Sequence, residues 1–241
     1  MNIDRTSHIA DIVAALPAAA GVFDATGIDY SSPGERSIEE AAGLEGVDPN
    51  SVVLQLRRLP PPDRGSWLDR SMRDLLDFLA GQHSRIMRDD LVHVAEELAD
   101  VCGWLSAEPA LERLREEFKA LSTALLPHLR REQEIVFPLI QRVESMWQSN
   151  APPPSDNGVE KAITDLLVEH GAIAARARLV RDLRMTVESH DVSTACRTML
   201  RDLARLEADL RYSMFLENCV LFPGALALHE SLSGSPVTSA E

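Results

Sequence analysis

Thiols are scarce in this sequence. Cys102, Cys196 and Cys219 are odd in number and far apart, which argues against a disulfide framework and a thiolate zinc site and leaves them as small buried apolar residues. Positive charge is short as well: 24 lysines and arginines face 38 aspartates and glutamates. The resulting net charge of −14 repels phosphate backbones and anionic bilayers, so neither nucleic acid nor a membrane is an expected partner. No stretch approaches ~18 consecutive apolar residues. The N-terminus, with Asp4 and Arg5 ahead of a short Ala-rich run, has no signal-peptide core, and a cytoplasmic location is the expectation. Strand-like alternation is missing throughout.

What is present is enough for a substantial core: 241 residues, 45% hydrophobic and 26% charged. Two proline-rich breaks organise them. "LPPPDRG" (59–65) reads as a linker after an N-terminal segment of some sixty residues, and "NAPPPSDNG" (150–158) as a loop within the larger part. Apolar residues recur at helical spacing in four runs. The first carries Leu76, Leu79, His83, Met87, Leu91, Val94, Leu98 and Val101; the second Leu114, Phe118, Leu121, Leu125, His128, Glu132 and Ile135. The third carries Ile163, Leu167, His170, Ala174 and Ala177; the fourth Leu203, Leu206, Leu210, Ser213, Glu217 and Leu221. Asp156 and Ser193 are placed to cap the third and fourth helices. The expected fold class is all-α, an up-down four-helix bundle preceded by a small helical segment.

His83, His128, Glu132, His170 and Glu217 occupy positions where the periodicity demands core residues. One histidine on an apolar face is usually a satisfied core residue, but three with two glutamates on four stripes are not so easily dismissed. Burying two carboxylates without a lysine or arginine among those positions costs several kcal/mol each, and bound cations would offset it. His128 and Glu132, four residues apart, project from one helical face with Cβ atoms about 6 Å apart. Imidazole with carboxylate suits iron or manganese, and in a bundle two such carboxylates can bridge a metal pair.

The chain also repeats itself. "PHLRREQEIVFP" (127–138) is echoed 85 residues later by "RYSMFLENCVLFP" (211–223): Glu132 falls on Glu217, Phe137-Pro138 on Phe222-Pro223, and His128 on Ser213. His83 and His170 are the matching first-helix residues of two hairpins. By that symmetry position 213 is where a sixth ligand belongs. Pro127, Pro138 and Pro223 fall inside apparent helices and are expected to kink them.

"PHLRREQEIVFPLI", "LLVEHG" and "LENCVLFPGAL" resemble the hemerythrin-like (HHE cation-binding) domain and, more narrowly, the iron-sulfur cluster repair family of di-iron proteins. The resemblance spans residues 66–230 as the bundle. Residues 1–60 resemble that family's small N-terminal helical domain, and 231–241 are expected as a disordered tail. It implies non-haem iron held by His83, His128, His170 and a histidine where this chain has Ser213, with Glu132 and Glu217 bridging. It also puts an acidic residue, Glu169, beside the third-helix histidine, a candidate catalytic acid or proton carrier.

Three departures from that pattern are chemical. Where the family has Cys-Cys-Gly-Gly after an aromatic residue, this chain has Ser31-Ser32-Pro33-Gly34 after Tyr30, and Ser213 replaces an imidazole. A serine hydroxyl is a poor iron ligand at neutral pH, so Ser213 leaves an open or labile second metal position. Tyr212, pointing about 100° away on the helix, and Cys219, six residues on, are the other donors nearby. His8, His93, His190 and His229 read as solvated, and the charges from Arg197 to Asp209 as a solvated helix face. The resemblance implies chemistry on nitric oxide, oxygen or peroxide in stress response, with iron-sulfur proteins as partners. An oxygen or nitric oxide sensor or carrier, and a metal-poor scaffold, are the alternative classes.

Overall fold

The computed structural model describes residues 3–31, 36–61, 66–104, 109–151, 158–190 and 192–234. Among these residues every regular element is helical, and β-type pairing is confined to an isolated bridge between His8 and Ser37. The all-α class is therefore the one found. The N-terminal segment folds as α1 (Ile9–Ala15), α2 (Ala19–Thr26), α3 (Ile38–Glu45) and α4 (Pro49–Arg57). The four expected long runs follow: α5 (Met72–Arg85) with α6 (Leu91–Trp104), α7 (Pro109–Arg131) with α8 (Phe137–Gln148), α9 (Gly158–Glu188), and α10 (Thr194–Leu216) with α11 (Phe222–Gly234).

Local chemistry sets these limits. Ser37 and Glu40 form a reciprocal capping box on α3, and Ser71 with Asp74 does the same for α5. Asp48 accepts from the amides of Asn50 and Ser51, with Pro49 at the first helical position of α4. Ser193 caps α10 as expected, its Oγ accepting from the Cys196 amide at 3.2 Å. Asp156 lies outside the described residues. Gly27 and Gly46, with φ of 76° and 67°, end α2 and α3 in the left-handed conformation that only glycine adopts cheaply.

Three of the four runs contain a π-helical turn: Ile86–Asp90, Glu132–Val136 and Glu217–Leu221. Each inserts one extra residue per turn and rotates the stripe beyond it. Two core assignments at these turns are corrected. Ile86, not Met87, is buried after His83, and the next inward residue is Leu91, five positions on. Val136 is buried whereas Ile135 is 52% exposed. In α9, with no such turn, the inward residue before His170 is Leu166 rather than Leu167. Pro138 and Pro223 each stand second in the helix that follows a π turn. A proline there lacks the amide that would bond back four residues, and the widened turn absorbs that loss. Pro127 lies inside α7, which runs on through Arg131.

The chain divides into two compact units, one of residues 1–77, 140–156 and 211–241, the other of residues 78–139 and 157–210. In the first unit α1 packs on α2, on the 3₁₀ turn Trp67–Asp69 and on the π turn Glu217–Leu221. Tyr30 lies between Phe23 and Phe215, with ring centroids 6.1 and 5.9 Å away, and Arg211 pairs with Asp24. The N-terminal helices thus share a core with the chain beyond residue 211. In the second unit α7 packs along α9 and α6 over Phe118, Leu121, Leu125, Leu166 and Leu98. Burying each such side chain contributes roughly 1.5–3 kcal/mol.

Three expectations about polar and terminal residues are revised. His229, expected as solvated, is buried on the inner side of α11. Glu207, expected on a solvated face, is buried and accepts from Arg184 Nε at 3.2 Å, so the pair compensates its desolvation. Residues 231–234 of the expected tail belong to α11, with Leu232 buried, and 235–241 lie outside the described residues. No helix among the described residues is long and apolar enough to cross a membrane.

Candidate metal centre

Four of the expected ligands meet inside the second unit, around the carboxylate of Glu132. His83 sits near the end of α5, His128 one turn before the end of α7, His170 midway along α9, and Glu132 opens the π turn after α7. All four are buried. His128 Nε2 and His170 Nε2 approach the same oxygen, Glu132 Oε1, at 3.3 and 3.2 Å. His83 Nδ1 approaches the other, Oε2, at 3.5 Å. The carboxylate is thus addressed by two imidazoles on one side and one on the other.

Packing fixes the rings. His83 stacks on Phe137 at 5.6 Å, and the His128 and His170 rings meet edge-on at 4.8 Å. Gln133, the second residue of the π turn, donates to Ala80 O at 2.7 Å and to Ser84 Oγ at 3.1 Å, tying the carboxylate's turn to the helix that bears His83. Gln82 and Arg85, on either side of His83, reach Asp209 through its carbonyl and its carboxylate.

Glu169 enters through His128. Its Oε2 is 2.8 Å from His128 Nδ1 and its Oε1 2.6 Å from Arg131. With Nδ1 donating to Glu169, His128 turns Nε2 toward Glu132 Oε1. Two acceptors face each other there unless a second proton or a cation lies between them. Burial pushes the Glu132 carboxyl toward its neutral form, but His128, His170 and His83 outweigh that and hold it well below the ordinary carboxylate range. Glu132 Oε2 has no hydrogen-bond partner among the described residues. A buried carboxylate, kept ionised and flanked by three imidazole nitrogens with no lysine or arginine on it, fits cations of the iron or manganese type.

Ser213 and Glu217 belong to the first unit, four residues apart as His128 and Glu132 are, and both are buried. Glu217 opens its π turn just as Glu132 does. Ser213 Oγ has no hydrogen-bond partner among the described residues. The alternative donors are otherwise engaged or protonated. Tyr212 Oη accepts from Trp67 Nε1 at 2.6 Å, and burial raises its pKa. Burial, with Asp29 adding to it, pushes the Cys219 thiol up to about 11. Ser31 donates to Asp29 Oδ1 at 2.8 Å, and its carbonyl accepts from Asn218 at 2.9 Å, so its hydroxyl serves a turn. Ser32 lies outside the described residues.

Sequence reasoning missed Arg131, Gln133 and Phe137. The signal for Arg131 was a cation three residues after a candidate ligand, opposite the glutamate preceding another. The signal for the second and third π turns was a Phe-Pro pair starting five residues after Glu132 and Glu217.

Residues 5–60 match a family model described as a domain of unknown function, DUF542. Among curated proteins, "Iron-sulfur cluster repair protein ScdA" of Staphylococcus haemolyticus is 26% identical over 91% of this chain and 98% of its own length. "Iron-sulfur cluster repair protein YtfE" of Yersinia pseudotuberculosis is 25% identical over 92% and 97%. Residues 70–225, with His83, His128, Glu132, His170 and Glu217 among them, match the model of the hemerythrin HHE cation binding domain, and the chain belongs to that family.

Proposed function

We propose that this protein is a non-haem di-iron protein that acts on nitric oxide, oxygen or peroxide in the service of iron-sulfur cluster repair. The observation that carries the reading is the Glu132 carboxylate, with His128 and His170 on Oε1 and His83 on Oε2. That division suits a carboxylate shared by two cations, one held by two imidazoles and the other by one. Glu217 is the natural second carboxylate, since it repeats the position of Glu132 at the head of a π turn. Bound iron would supply one-electron redox chemistry and coordination positions for a small ligand.

The chain's own residues do the rest. Glu169 holds the His128 Nδ1 proton and so fixes which nitrogen faces the centre. Being half-exposed, it is also placed to exchange that proton with solvent. Burial of the histidines and Glu132 excludes bulk water. Ser213 withholds the imidazole that the repeat calls for, so the second position would be labile and open to ligand. Relatives named for iron-sulfur cluster repair support iron-sulfur proteins as partners. Serine at 31 and 32 removes a thiol route for iron transfer, which tilts the reading toward gas or peroxide chemistry.

The test is iron per chain with optical spectroscopy after anaerobic loading, followed by turnover with nitric oxide and with peroxide. Tightly bound iron, reduced in Glu132→Gln and His170→Ala, is expected. Metal-free protein after loading, or variants that hold as much iron as wild type, would overturn the proposal. Iron binding with reversible ligand uptake and no turnover would support a sensor or carrier, a reading that the labile position at Ser213 favours.

A further inference from the structure

A second cluster in the same unit lies among residues read from sequence as a solvated face. His93, in the first turn of α6, and Glu97, one turn on, share a helix face, and Asp202 of α10 meets them. His93 Nε2 is 3.6 Å from Glu97 Oε1 and 3.8 Å from Asp202 Oδ2, and the three ligand atoms all lie within 4.8 Å of one another. Those separations exceed a good hydrogen bond. They are close to what a single ion imposes, since donors about 2.0–2.2 Å from a tetrahedral cation stand ~3.3–3.6 Å apart. The buried cluster on Glu132 is somewhat tighter, at 3.2–3.5 Å.

Two arginines stand at the edge of the cluster. Arg201 Nε is 4.0 Å from Asp202, on its other oxygen, and Arg205 lines the adjoining hollow. Glu97 Oε2 is buried without a hydrogen-bond partner among the described residues. Burial pushes the Glu97 carboxyl up, His93 pulls it down and Asp202 pushes it up again. Beside the cluster is a polar hollow of about 110 Å³ lined by Asp90, His93, Asp202, Arg205 and Asp209. That is room for waters to complete a coordination shell.

We propose that His93, Glu97 and Asp202 form a second, solvent-accessible site for a divalent transition cation, binding one zinc-like ion across α6 and α10 with water as its remaining ligands. The set is independent of the buried centre, and its ligands are separate residues. With His93 59% exposed, ions exchange there directly with solvent, unlike at the buried ligands.

The test is zinc titration of the full-length protein by native mass spectrometry and calorimetry, comparing wild type with His93→Ala, Glu97→Gln and Asp202→Asn, and with His190→Ala as a control at an exposed histidine elsewhere. One zinc per chain that weakens at least ~10-fold in His93→Ala and Glu97→Gln, and not in His190→Ala, is the expected result. The His93 ring nitrogens should shift in ¹⁵N spectra as that zinc is added. Equal zinc count and affinity in wild type and His93→Ala, or an equal loss in His190→Ala, would overturn the site. Circular dichroism on each variant separates loss of the site from loss of fold. The outcome does not depend on the buried centre, because the comparison leaves His83, His128, Glu132 and His170 unchanged.

Discussion

Replacing Glu169 tests how much of the buried centre depends on a residue that does not itself face Glu132. In the wild type, Glu169 Oε2 accepts from His128 Nδ1 at 2.8 Å while Oε1 accepts from Arg131 Nη1 at 2.6 Å. Glu169→Ala removes both acceptors. The Arg131 pair is about one-third exposed on each side, so its loss should cost the fold no more than ~1 kcal/mol. The effect on metal should be larger. His128 loses the contact that selects its tautomer, and the Arg131 guanidinium, no longer neutralised, stays three residues from a ligand. Losses of such supporting contacts weaken metal affinity ~10–100-fold, about 1.4–2.8 kcal/mol. Glu169→Gln keeps an acceptor for Nδ1–H but not the charge, so it should fall between wild type and Glu169→Ala. The assay is iron or manganese affinity by chelator competition, with thermal melts of the metal-free proteins alongside. Unchanged affinity in Glu169→Ala, with the melt also unchanged, would refute the argument that this carboxylate orients His128. A Gln variant as weak as the Ala variant would show that charge, not orientation, is what matters.

Four further outcomes are expected. Wild type should bind one iron tightly and a second loosely, and Ser213→His should tighten the second, as read by iron per chain and metal release rate; equal, tight occupancy in both proteins would show the site already complete. Leu125→Ala, in the buried face one residue-turn before His128, should destabilise the fold by about 2–5 kcal/mol in denaturant melts. With its thiol raised to about 11, Cys219 should stay protonated at neutral pH, so in a metal-free Cys102→Ser/Cys196→Ser variant alkylation should keep accelerating through pH 9 toward 11 rather than levelling near the ordinary thiol range. Non-reducing electrophoresis should show no disulfide-linked dimer through the loop of Ser31 and Ser32.

The sequence by itself determined the helical class, the four runs and the burial of His83, His128, Glu132, His170 and Glu217, because period 3.6 is a local property and a glutamate in an apolar stripe is conspicuous at any depth. It also carried the 85-residue repeat, on which the proposal about Ser213 rests. Tertiary structure decided the rest. Which of two neighbouring stripe positions turns inward is decided by packing at the π turns, where Val136 and Ile86 are buried rather than Ile135 and Met87. A periodic reading assumes one constant angle per residue and cannot choose between two adjacent candidates. The partnership of Glu169 with His128 and Arg131, and of His93 and Glu97 with Asp202, joins residues 38 to 109 positions apart. Such pairings depend on which helices pack and at what rotation. Those are set by the fit of whole surfaces, not by any local pattern.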